Sequence, residues 1–121
     1  MLTLTNPEKA AHFFEEKLEF TTGPIELHGM IQRHENINIV DVREFEDYSK
    51  GHIPGAINLP KTSWKTYSGL SENKVNVIYC YSEACHLSAN AAMEFAKHGF
   101  SVMELEGGFE TWRQNALPIV G

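Results

Sequence analysis

Cysteine is scarce in this chain, with two residues among 121, Cys80 and Cys85. Two thiols five positions apart cannot staple a domain of this length, so a disulfide scaffold is excluded and stability must come from an apolar core. Long hydrophobic runs are missing as well. No stretch approaches the roughly 18–20 apolar residues needed to span a bilayer. The first residues, Met1-Leu2-Thr3-Leu4-Thr5-Asn6-Pro7, lack the basic region and apolar segment of a signal peptide. Positive charge is also in short supply: 10 Lys and Arg stand against 16 Asp and Glu, a net charge of −6. That balance argues against nucleic acid or an anionic membrane as the main partner. The expectation is a soluble, cytoplasmic protein that handles small molecules or thiols.

Apolar residues make up 42% of the sequence, enough for one real core and too much for a disordered chain. Asn6-Pro7-Glu8 reads as a helix start, with Asn6 as cap and Pro7 at the first helical position. Ala10, Phe13, Phe14 and Leu18 then fall on one face of a helix of about 12 residues. That face is expected to pack on the domain's own core, with a dimer contact as the alternative. Gly23-Pro24 breaks the chain before a second helix over about Ile25 to His34.

The β-branched runs Ile37 to Val42, Val75 to Tyr79 and Ser101 to Leu105 predict buried strands, and Ala56 to Leu59 a shorter one. A helix over about His86 to Lys97, stopped at Gly99, lies between the last two. Strand, helix and strand of these lengths form a βαβ unit, so a mainly parallel sheet with helices on its faces is predicted. Thr66 to Lys74 reads as a polar surface connection.

Cys80 stands where the strand ending at Tyr79 gives way to a short loop and a helix. Ligands of open α/β sheets bind beyond the carboxyl ends of strands, and a helix N-terminus favours an anionic sulfur. A lowered thiol pKa and a nucleophilic thiolate are therefore expected; the competing reading is a small buried hydrophobe.

Three blocks around it carry a resemblance. Asp41-Val42-Arg43-Glu44-Phe45 runs into Gly51-His52-Ile53-Pro54-Gly55-Ala56-Ile57-Asn58-Leu59-Pro60; Val77-Ile78-Tyr79-Cys80 follows; Glu106-Gly107-Gly108-Phe109-Glu110-Thr111-Trp112 comes last. In this order and spacing the sequence resembles the rhodanese-like (sulfurtransferase) family over about Phe20 to Val120. The resemblance implies one α/β domain with a central, mainly parallel sheet flanked by helices on both faces. Residues 1–19 would be a helical extension to a domain spanning 20–121. It further implies that Cys80 takes a sulfane sulfur from a donor, becomes a persulfide and passes the outer sulfur to a nucleophilic acceptor. No metal and no organic cofactor is needed for such chemistry, since a thiolate attacks a sulfur–sulfur bond and N–H donors hold the charge.

The implied active-site loop is Cys80-Tyr81-Ser82-Glu83-Ala84-Cys85-His86. Many relatives carry arginine there, whereas this loop has neither Lys nor Arg and adds Glu83; His86 is its one potential cation. That composition disfavours dianionic thiosulfate and favours a polysulfide or thiol persulfide, small or protein-bound. Phosphatases of this fold need a longer loop ending in arginine, so phosphatase activity is not expected. Cys85 is either a packing residue or a thiol that resolves the persulfide into a Cys80–Cys85 disulfide. A zinc site on Cys80, Cys85 and His86 lacks a fourth ligand and matches no common spacing. Two rivals to sulfur transfer stand: a non-catalytic protein-interaction module and a Cys80/Cys85 redox switch. A monomer or weak homodimer is expected.

Asp41 and Arg43, two apart at a strand end, point the same way and are expected to form an anchoring ion pair, with Arg43 as a candidate source of positive potential at the site's mouth. His52 is read as a structural hydrogen-bonding residue, Trp112 as core and Trp64 as a candidate for the pocket rim. His12, His28, His34 and His98 are expected to be solvated.

Overall fold

The computed structural model describes residues 2–121. Helix α1 (Pro7–Phe20) opens the chain, and the Asn6 side chain accepts a hydrogen bond from the Lys9 amide at its start. Then follow β1 (Thr21–Thr22), α2 (Pro24–Gln32), β2 (Ile37–Asp41), α3 (Phe45–Lys50) and β3 (Ile57–Asn58). A 3-10 helix (Lys61–Thr66) leads to β4 (Val75–Tyr79), α4 (Leu87–Lys97), β5 (Val102–Leu105) and α5 (Gly108–Gln114). All strand pairs are parallel, in the order β1-β5-β4-β2-β3. Both outermost strands are only two residues long.

The period-2 alternation of the strands sorts the core into two layers. Ile39, Val77, Tyr79 and Leu105 join Leu27, Ile53 and Trp112 on one face, the side of α2 and α5. Val40, Val42, Ile78 and Cys80 join Ala91, Phe95, Leu59 and Trp64 on the other, the side of α4 and the 3-10 helix. The sheet thus has helices on both faces, as anticipated. Each fully buried aliphatic or aromatic side chain in these layers contributes about 1.5–3 kcal/mol. Cys80 belongs to the second layer because it continues the Val40/Ile78 face, so its sulfur points toward α4.

Several expectations need correction. The apolar face of α1 does not enter the core: no residue of the helix is buried, and Phe13, Phe14 and Leu18 are exposed. The helix lies beside the outer end of the sheet, where β1 is too short to offer a surface to cover that face. Trp64 does not rim a pocket; it is buried, donates to the Leu59 carbonyl and meets Phe95 edge-on. His28 packs edge-on against Trp112, and His98 stacks on Tyr67 and bonds its hydroxyl, so neither is simply solvated. No helix among the described residues is long and apolar enough to cross a membrane.

Candidate active site

β4 ends in the middle of the sheet, flanked by β2 and β5, and Cys80 is the next residue. The 81–86 loop curls from there to the start of α4, closed by a hydrogen bond from the Cys85 amide to the Ser82 carbonyl (3.1 Å). The Cys80 thiol is 1% exposed. It donates to the hydroxyl of Ser88 (3.3 Å) and, more weakly, toward the carbonyl of Cys85 (3.7 Å). Ser88 is itself buried, in the first turn of α4, and its hydroxyl donates to Glu104 Oε2 at 2.5 Å. Glu104 is the β5 partner of Ile78, on the sheet face that Cys80 also uses. Strand register therefore brings the three groups into one chain of hydrogen bonds.

The expected lowering of the Cys80 pKa is not found. Burial among apolar neighbours pushes the thiol up and outweighs the opposing contribution of Ser88, whose hydroxyl and backbone N–H favour the thiolate. The sulfur faces the α4 layer of the core, and that cost of desolvating an anion was not apparent from its position at a helix start. Both cysteines are free thiols.

A cavity of about 260 Å³ adjoins the loop, lined by Ser82, Glu83, Cys85, Ser88, Glu104 and Glu106 among others. Three of these are carboxylates, and no Lys or Arg among the described residues lines it. Glu106 has one cationic neighbour, Lys17 at 3.7 Å. His86 and Glu83 are exposed, and His86 takes the N-cap position of α4 without a side-chain cap. Ala84 is exposed beside them. Tyr81 turns away from the cavity: its hydroxyl donates to Asp47 (2.6 Å) and accepts from the Glu44 amide (3.2 Å).

Asp41 and Arg43 form the anchoring pair foreseen for them. The Asp41 carboxylate is fully buried and accepts from the Arg43 amide, Nε and Nη2 and from the Tyr79 hydroxyl (2.7 Å). Arg43 also donates to the Gly51 carbonyl and lies over the Phe109 ring, 4.1 Å from its centroid. Its charge is consumed by Asp41 and its face by Phe109, so it is not a free source of positive potential for the loop. His52 bonds the Tyr48 carbonyl through Nδ1 and stacks on the Tyr48 ring, a structural role as expected.

Three residues that shape the site were not singled out in the sequence. Ser88 and Glu104 complete the chain to the sulfur. Gly108 has φ +59°, and its Cα is so close to the loop that a Cβ there would lie 2.8 Å from the Cys80 carbonyl oxygen and 3.0 Å from the Ser82 nitrogen. The amides of Phe109 and Glu110 donate to the Cys80 and Tyr81 carbonyls, both at 2.9 Å. The start of α5 thus grips the loop backbone. A signal for Glu104 existed: it is the one charge in an otherwise apolar strand, Val102-Met103-Glu104-Leu105.

A cysteine at the carboxyl end of a central parallel strand, in a loop closed by the next helix and gripped by a later one, defines an α/β domain with a thiol site at the switch point of its parallel sheet. The model of the rhodanese-like domain family matches residues 24–115. This chain belongs to that family. It is 33% identical over 81 residues to the thiosulfate sulfurtransferase GlpE of Shewanella oneidensis, covering 65% of this chain and 78% of that protein. It is 37% identical over 84 residues to the putative sulfur carrier protein YrkF of Bacillus subtilis, covering 68% of this chain and 44% of that one. The crystal structure of the BH2092 protein from Bacillus halodurans superposes with a TM-score of 0.87 at 39% identity, over 96% of this chain and 87% of that one. The chain spans less than half the length of two curated relatives it matches.

Proposed function

We propose that this domain is a sulfurtransferase that carries a sulfane sulfur as a persulfide on Cys80. The observation that carries the reading is the placement of the Cys80 sulfur beneath a closed loop, in contact with Ser88, which itself opens onto the cavity. The loop residues Tyr81, Ser82, Glu83, Ala84, Cys85 and His86 are the substrate-binding segment in this reading, and the Asp41–Arg43 pair anchors the end of β2 beside it. Residues 20–121 form the working domain and 1–19 a helical extension. Donor and acceptor are small-molecule or protein-bound thiol species, and two free thiols suit the reducing cytoplasm.

The cavity argues for the kind of donor. Three carboxylates line the cavity with Lys17 beside one of them, Glu106, and this balance disfavours a dianion such as thiosulfate, whereas a thiol persulfide or hydropolysulfide, whose sulfur end carries at most one negative charge, enters with less cost. Incubation with thiosulfate, polysulfide and glutathione persulfide, read by intact mass, tests this. The expected result is a gain of one sulfur atom from the last two, lost in Cys80→Ser. No adduct from any donor would refute sulfur carriage and leave the fold as a protein-binding module.

The cavity also supports a second step. Cys85 lines the space next to Cys80, with its own thiol free. Attack of the Cys85 thiol on the inner sulfur of the Cys80 persulfide forms a Cys80–Cys85 disulfide and releases hydrogen sulfide. Cys85→Ser would then retain the persulfide longer, which the same mass measurement reads.

A further inference from the structure

We infer that Cys80, Ser88 and Glu104 form one proton relay in which Glu104, acting through the Ser88 hydroxyl, governs the Cys80 proton and delivers it to the leaving thiolate of the donor. The inference rests on the persulfide reading for its purpose, and on hydrogen-bond geometry for its substance. The thiol donates to Ser88 Oγ at 3.3 Å, and Ser88 Oγ–H donates to Glu104 Oε2 at 2.5 Å, so every hydrogen already points toward the carboxylate. The three groups come from the end of β4, the first turn of α4 and the middle of β5, so the core holds them in place. Glu104 lines the cavity, where a donor's departing sulfur would stand.

The arrangement has two states. With Glu104 ionised, the Ser88 hydroxyl donates to the carboxylate and accepts from the Cys80 thiol. When Ser88 takes the thiol proton and passes its own to Glu104, the new Ser88 O–H points at the sulfur and satisfies the thiolate. Sulfur transfer then balances. For a hydropersulfide R–S–SH, the Cys80 sulfur attacks the outer sulfur, a Cys80 S–S bond forms, and the donor S–S bond breaks. Glu104 returns the proton to the leaving sulfur, giving Cys80–S–SH and R–SH with no net oxidation. Ser88, which touches the reacting sulfur, is a catalytic residue; Glu104 is a positioning residue that works through it.

Other titratable groups face this chain. Cys85 lies on the loop side, and Glu83 and Glu106 share the cavity, the latter with Lys17 of α1 beside it. The exposed His86 caps α4, and β1 offers only Thr21 and Thr22 next to β5. None lies between the sulfur and Glu104.

The test is the pH dependence of Cys80 alkylation by iodoacetamide, located by peptide mass, because only the thiolate reacts. Glu104→Gln replaces the carboxylate that holds the Ser88 hydroxyl and lets an amide N–H turn that hydroxyl toward the sulfur. Its alkylation at neutral pH is expected to rise about three- to tenfold, the rate ratio of roughly half to one unit of pKa. Ser88→Ala removes the hydroxyl hydrogen-bonded to the sulfur and is expected to slow alkylation by a similar factor. The double variant should follow Ser88→Ala, since Glu104 acts only through Ser88. Persulfide loading should show the opposite sign for Glu104→Gln, slower despite the more available thiolate, because the leaving sulfur has lost its proton source. Equal directions for the two single variants, additive effects in the double, or no change would overturn the relay. If Glu104→Gln does not fold, Ser88→Thr against Ser88→Ala decides, with only the threonine keeping the native profile. Alkylation does not depend on any sulfur donor, so failure of the relay and failure of sulfur carriage are read separately.

Discussion

Gly108→Ala tests the grip of α5 on the loop after Cys80. Two costs add at this position. The backbone has φ +59°, in the left-handed region, where an alanine costs about 1–2 kcal/mol. The added Cβ would then meet the Cys80 carbonyl oxygen at 2.8 Å and the Tyr81 carbonyl carbon and Ser82 nitrogen at 3.0 Å. Backbone atoms cannot rotate away as a side-chain tip can, and the Cys80 carbonyl is already fixed by the Phe109 amide. Relief requires α5 and the loop to separate, at about 1–3 kcal/mol of overpacking. The sum is about 2–5 kcal/mol. Gly99 supplies the control: its φ is +88°, and a Cβ there would meet nothing within 4 Å. Gly99→Ala should lose only the conformational part. Urea denaturation of both variants measures stability, and iodoacetamide alkylation of Cys80 reports whether the loop has opened. A shared midpoint for the two variants, with unchanged alkylation in Gly108→Ala, would refute the reasoning.

Other outcomes follow from the same structure. Asp41→Asn leaves the Arg43 guanidinium buried without its counter-charge and should cost about 3–5 kcal/mol in denaturant unfolding; a loss below about 1 kcal/mol would contradict the ion-pair account. Tyr79 is buried, and burial with the nearby Asp41 carboxylate pushes its phenol well above the usual tyrosine range. The unfolded chain therefore ionises first as pH rises through about 10, and stability should fall there. Tyr79→Phe should flatten that alkaline decline in pH-dependent thermal unfolding, and an unchanged slope would assign it elsewhere. The same sign holds for Cys80, whose raised pKa predicts slow alkylation of the native protein at neutral pH and acceleration only at alkaline pH. A plateau reached below pH about 7 would show a thiolate already formed.

The long β-branched runs made β2, β4 and β5 legible, because burial on both sheet faces demands such residues, and the Asn6 cap and Gly99 stop marked two helices. Helix α3 was not legible, since the six residues Phe45–Lys50 are too few to show a helical period. Helix α5 begins at Gly107-Gly108, a pair that reads as a breaker yet serves here for close approach of two backbones. At the site, Cys80 and its loop were visible from order and spacing. The direction of the sulfur was also implicit, because Cys80 continues the face of Val40 and Ile78. The consequence for its acidity was missed: helix position argued for an anion, and burial won. Ser88 and Glu104 lie 8 and 24 positions after Cys80, and only the pairing of Ile78 with Glu104 brings the carboxylate to the thiol.

The outer strands of the sheet have a bearing on life in a crowded solution. Thr21–Thr22 and Ile57–Asn58 each present a pair of residues at the rims, one of them two polar threonines. An incoming chain would find too few unpaired amides and carbonyls in register to extend the sheet, so neither rim is a template for fibril growth. The domain can therefore keep its most β-prone segments, Ile37–Asp41 and Val75–Tyr79, in the protected middle of the sheet, away from the borders where like strands recognise one another.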